Sequence, residues 1–122
     1  MAIDGLYKAE GDLESSLKGI AEEIWRVGVS KDRVRYEIAN LEAHIKRLKG
    51  SDAAPKEVWR LENQLAKKTR ERNGLADRMG ELRTDSGRTK QNLINVKRKI
   101  FEEKQAALRK ELEMNRPRKI RR

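Results

Sequence analysis

Residues 3–48 read IDGLYKAEGDLESSLKGIAEEIWRVGVSKDRVRYEIANLEAHIKRL. Set Ile3 at heptad position a and Leu6 at d. The a positions are then Ile3, Glu10, Leu17, Ile24, Lys31, Ile38 and Ile45. The d positions are Leu6, Leu13, Ile20, Val27, Val34, Leu41 and Leu48. Twelve of these fourteen are apolar, in strict alternation of three- and four-residue steps. A sustained 3.5-residue period keeps one narrow stripe facing a partner helix, so the stretch reads as one long helix with a coiled-coil seam. Gly28-Val29-Ser30 is the place where that helix is expected to bend, if anywhere.

The next break is Gly50-Ser-Asp-Ala-Ala-Pro55. Gly50 suits a helix C-cap, Ser51 or Asp52 an N-cap, and Pro55 the first turn of a second helix. Beyond it a second stripe begins at Val58 (a) and Leu61 (d). It continues through Leu65, Leu75, Met79, Leu82, Leu93, Val96 and Ile100. Folding the chain back at residues 50–55 sets Leu48 opposite Val58, Leu41 opposite Leu65, Ile24 opposite Leu82 and Leu6 opposite Ile100. The stripes match along most of their length. The expected fold is therefore all-α: a long antiparallel helical hairpin, with helices over about 3–49 and 56–115.

Two zones interrupt the match. Lys68 and Arg72 occupy d and a, and so do Glu10 and Lys31 on the first helix at its a positions. These long side chains are expected to snorkel past a thin seam to water. Ser86 and Thr89 lie in Arg83-Thr-Asp-Ser-Gly-Arg-Thr89, a run of turn formers. A kink or turn is expected near 84–89. A full turn there would give the alternative fold, a three-helix bundle. Residues 1–115 are read as a single helical domain and 116–122 as a basic tail.

Composition fits long helices. Charged residues make up 41% of the 122, aromatics 4%, and there is no cysteine. Disulfides and thiolate metal sites are thereby excluded. A single histidine, His44, cannot build a metal site without carboxylates, and no cofactor is expected. Phosphate-binding glycine motifs and nucleophile–base pairs are missing from the sequence, and a narrow hairpin has no pocket in which to tune a carboxylate. The chain is expected not to be an enzyme. Met1–Gly5 lack a basic and then apolar leader, and no run approaches membrane-spanning length. A cytoplasmic, nuclear or virion-interior location is expected, with no secretion by a signal peptide and no membrane partner.

The net charge of +10 is unevenly spread. Residues 86–122 hold thirteen basic and four acidic side chains, whereas residues 1–50 hold nine of each. The candidate site for an acidic partner or for phosphate is accordingly Lys97, Arg98, Lys99, Lys104, Arg109 and Lys110, followed by Arg116, Arg118, Lys119, Arg121 and Arg122. A second candidate interface is apolar. Trp25, Trp59, Ile94, Phe101 and Leu108 fall at b and Tyr36 at f, outside a two-helix seam. Aromatic residues are favoured interface anchors. The expected function is a structural or assembly subunit that docks through its helices and holds an acidic surface with its basic end. Self-association and protein partners are both expected. The alternatives are a nucleic-acid-binding accessory protein, such as a packaged virion protein or a ribosome- or chromosome-associated factor, and a scaffolding or export-type assembly chaperone. No small-molecule substrate is expected.

Overall fold

A computed structural model of the chain describes residues 3–52 and 54–115. Among the described residues it is all helical: α1 spans Ile3–Lys49 and α2 spans Pro55–Met114. The two helices pack together. Asp4 sits in the first turn of α1 and Lys46, Arg47 and Lys49 in its last, so charge complements the helix dipole at both ends.

The heptad letters locate the buried residues, although on α2 the seam positions Arg72 and, past Ile100, Glu103, Ala107, Lys110 and Met114 are exposed. Among the described residues the eight fully buried apolar ones, Leu6, Val34, Ile38, Ile45, Leu61, Met79, Leu82 and Ile100, all occupy a or d. Along α1 no a or d position is exposed. Glu10 and Lys31 are half-buried there, and among the described residues no polar side chain is fully buried. The polar seam positions reach water, as their stem lengths allow.

Contacts divide the chain into two compact units, one of Gly19–Ser86 and the other of Met1–Lys18 with Gly87–Arg122. Within the first unit the cross-helix pairs run in opposite order on the two helices. Lys49 meets Glu62 at 3.1 Å, Lys68 meets Glu37 at 2.6 Å, and Arg78 meets Glu23 at 2.5 Å. As the α1 number falls the α2 number rises, so these segments are antiparallel. Lys49 and Glu62 are both e positions, and Glu23 and Arg78 are both g. Pairing e with e and g with g is what reversal of one helix requires, since e and g flank the seam on opposite sides. Within the second unit Lys104 lies over the Tyr7 ring at 5.4 Å, again e with e.

The connection differs from the expected capping. Gly50 donates to the Lys46 carbonyl at 3.2 Å, and among the described residues no glycine has positive φ, so no left-handed cap forms. Ser51 closes the end instead: its amide and its hydroxyl both donate to the Leu48 carbonyl, at 3.1 and 3.0 Å. Pro55 opens α2 as expected. The residue before it, Ala54, fills the N-cap place in lieu of Ser51 or Asp52, its carbonyl accepting from Glu57 at 3.0 Å.

The alternative of a full turn near 84–89, and with it the three-helix bundle, does not occur. α2 runs unbroken through the segment. The cause lies in the seam. Ser86 and Thr89 occupy a and d and are half-buried, and a and d letters continue without a slip from Val58 to Ile100. A turn would discard that phase. Thr84 also satisfies its hydroxyl inside the helix, donating to the Gly80 carbonyl at 3.0 Å, so its polar group does not compete with helix formation. α1 likewise runs unbroken through Gly28, whose open side faces Met79.

Candidate interaction surface

Within the unit formed by Gly19–Ser86, α1 carries Trp25 at b, Val29 at f and Tyr36 at f, all exposed. Spacings of four and seven residues put them on one face of the helix. Trp25 is 70% exposed, and Glu22 and Arg26 flank it in a shallow groove. Trp59, on α2, is equally exposed. The antiparallel register sets it opposite the turn of Arg47, roughly 33 Å along α1 from Trp25 at 1.5 Å per residue. The two tryptophans therefore do not form one patch.

Ion pairs in this unit are flank contacts. The Lys68 ammonium is held above its ordinary value by Glu37 and then by Glu71. Arg78 is raised first by Glu23 and then by Glu81. Lys68 borders a depression of about 340 Å³ that Asn40, Leu41, Gln64 and Lys67 also line. It is open to solvent and holds no converging set of reactive groups. Among the described residues no cluster of three or more His, Cys, Asp or Glu side chains could hold a metal ion. No helix there is long and apolar enough to cross a membrane.

Within the unit containing Gly87–Arg122, Ile94, Phe101 and Leu108 occupy successive b positions and are all exposed. With Gly87 they make a b row of α2 without a single charge. In the other unit the b row of the same helix, Trp59, Ala66, Asn73 and Gly80, is also uncharged. Charges elsewhere on α2 are dense, so the row stands out as a band of distinct chemistry.

The basic residues do not share a face. Lys97 and Lys104 are e, Arg98 f, Lys99 g, Arg109 c and Lys110 d, all of them exposed. Glu102, Glu103, Glu111 and Glu113 are interspersed. What does align is a row of Lys90, Lys97 and Lys104 at e, directly beside the b row. Lys90 escaped the sequence reading because that reading counted charge along the chain, not by heptad letter; its seven-residue spacing was the available signal. Tyr7 was missed in the same way. It holds the Lys104 ammonium above the usual lysine value, with Glu10 adding a smaller push. Arg116, Arg118, Lys119, Arg121 and Arg122 lie outside the described residues.

Comparison of the chain with protein-family models, with curated proteins and with solved structures gave no match.

Proposed function

We propose that this chain is a non-enzymatic structural or assembly subunit: an antiparallel coiled-coil hairpin that docks through its outer faces and uses its basic end on an acidic surface. One observation carries the reading. The a and d rows account for every buried apolar residue, and large apolar side chains remain exposed elsewhere, chiefly at b and f. A monomer with no further contacts gains nothing from Trp25, Tyr36, Trp59, Ile94 and Phe101 in water. Clustered exposed apolar residues mark interaction sites.

The basic surface also supports a second reading, an accessory protein that binds nucleic acid through phosphates. Lys90, Lys97 and Lys104 recur about 10.5 Å apart along α2, a straight row of cations. Phosphate binding would be steep in salt, with a slope of about 0.9 per neutralised phosphate on duplex DNA. An acidic protein has no condensed counterion layer to release, and its slope is shallower.

The test is a salt titration of the full chain and of a chain lacking residues 116–122, against duplex DNA and against an amphipathic helical peptide with Glu on its flanks, together with sedimentation of the full chain alone. Assembly predicts self-association or tight binding of the Glu-flanked helical peptide with a shallow slope. Preferential DNA binding, with a slope that drops by about 4 to 5 on removing the five terminal charges, would favour nucleic acid. A monomer indifferent to both ligands would refute both readings.

A further inference from the structure

We propose that the b row of α2 in the unit containing Gly87–Arg122 is a second helical seam, built to receive an amphipathic helix with acidic flanks from a partner protein. The proposal rests on the assembly reading above and makes it specific.

The seam is defined by spacing. Ile94, Arg98, Phe101, Gln105, Leu108 and Leu112 follow one another in steps of four, three, four, three and four. That is a heptad seam on the b and f rows, distinct from the a and d seam that faces α1. Four of the six are apolar, all four are exposed, and Phe101 at the centre is 61% exposed. The stretch from Ile94 to Leu112 is about 27 Å long, enough for roughly two and a half heptads of a docked helix.

The rows bordering this seam decide its occupant. On one side runs e, with Lys90, Lys97 and Lys104. On the other runs c, with Arg88, Asn95, Glu102 and Arg109, and Glu111 ends the e row, so the borders carry five cations against two carboxylates. Residues three and four apart are neighbours on a helix, so these cations would flank any helix lying on Phe101. A second copy fits badly. Antiparallel about Phe101, Lys97 would face Lys104 of the other copy. Parallel, Arg98 would face Arg98 within the seam and Lys104 would face Arg109, with Lys97 against Glu102 the one opposite-charge pair in return. Like charges in such places are destabilising. A helix with Glu or Asp on its flanks, and one opposite Arg98, removes each conflict. Phosphate alone leaves Ile94, Phe101 and Leu108 without a role, because backbone recognition uses cations and not aliphatic side chains.

The test uses the full chain and a synthetic three-heptad helical peptide with Leu at its seam and Glu on its flanks. Its controls are the same peptide with Lys flanks and the same peptide with Ala at the seam. The Leu–Glu peptide should bind best. Phe101→Asp should weaken it about tenfold or more, as loss of a central aromatic anchor does. Because Phe101 is exposed, helicity and the thermal midpoint of that variant should stay at the wild-type level. Lys90→Glu with Lys97→Glu should reverse the preference toward the Lys-flanked peptide. Equal binding of the Leu and Ala peptides, or binding unchanged by Phe101→Asp, would overturn the proposal. So would duplex DNA or anionic phosphatidylserine vesicles competing fully for the site with the same Phe101 dependence. If Trp25→Ala lowers self-association while Phe101→Asp alters nothing, this seam is refuted and the assembly reading stands. If neither variant changes any association, both are refuted.

Discussion

Leu82→Ala tests the seam at its tightest point. Leu82 is 2% exposed and holds a d position between Met79 and Ser86. The substitution removes three carbons, worth about 2.4 kcal/mol at roughly 0.8 kcal/mol per buried methylene. In a thick core a cavity adds to this, and Leu→Ala changes reach about 5 kcal/mol. Here the core is one side chain thick, and water or the stems of neighbouring side chains can fill the gap from either edge. The cavity contribution should be small, and the expected loss is about 2–3 kcal/mol.

The assay is urea unfolding followed by far-ultraviolet circular dichroism. For an m-value within the usual range of about 1–3 kcal/mol/M, the midpoint should fall by about 0.7–3 M. Leu112→Ala is the control. Leu112 is 62% exposed, and its loss should stay within about 0.5 kcal/mol. A midpoint for Leu82→Ala no lower than that of Leu112→Ala would refute the argument, because the a and d rows would then not be what holds the helices together. A changed m-value would show that the transition is not two-state and that the midpoints cannot be compared directly.

Three further outcomes follow from named residues. Lys68→Met should raise the unfolding midpoint at neutral pH, because it replaces a half-buried lysine side chain at d by an apolar one of similar stem length; a lower midpoint would mean that the Glu37 pair outweighs the apolar gain. With Lys68 raised in the folded state, its pair contributes fully below the ordinary lysine value of 10.5 and is lost as pH rises through the higher folded value. Alkaline destabilisation should thus be smaller in Lys68→Met than in the wild type, measured by melts between pH 9 and about pH 12. Gly11→Ala and Gly87→Ala should each stabilise by about 0.5–1 kcal/mol, since an added Cβ meets nothing within 4 Å; loss of stability in a thermal melt would contradict the open space around them. Trp25→Ala with Tyr36→Ala should leave helicity intact and lower the sedimentation mass or partner binding, and unchanged association would make that face inert.

The seam was legible because burial on a two-helix fold depends on phase alone. Once Ile3 and Leu6 fix the letters of α1, and Val58 and Leu61 those of α2, Leu6, Leu82 and Ile100 follow without knowledge of any contact. The same phase decides where local preference loses. Thr84, Asp85, Ser86 and Gly87 favour a turn when read by themselves, but Leu82 before them and Leu93 after them share one register, and a continuous helix preserves it. Capping was less legible. Ser51, Asp52 and Gly50 all carry cap chemistry, and which of them acts depends on where the last turn of α1 ends. The basic site was legible as an amount of charge and not as a pattern. Lys97, Arg98 and Lys99 are consecutive in sequence yet fall on different faces, whereas Lys90 and Lys104 are two heptads apart and share one.

The exposed apolar row is the feature that the chain's own folding does not explain. Phe101 touches water over most of its surface, so Lys in its place would cost the α1–α2 packing little and would improve solubility. The same holds for Ile94. Neighbouring rows on the same turns carry Lys97, Arg98, Lys99 and Glu102, so charge is well tolerated at this height of the helix. Helix propensity gives no reason either, because Ile and Phe are weaker helix formers than Lys or Arg. Neither packing, solubility nor propensity selects these two residues at their positions. The proposed contact with an acidic-flanked helix would, because it sets an apolar stripe on Ile94 and Phe101 and opposite charge beside Lys97 and Lys104.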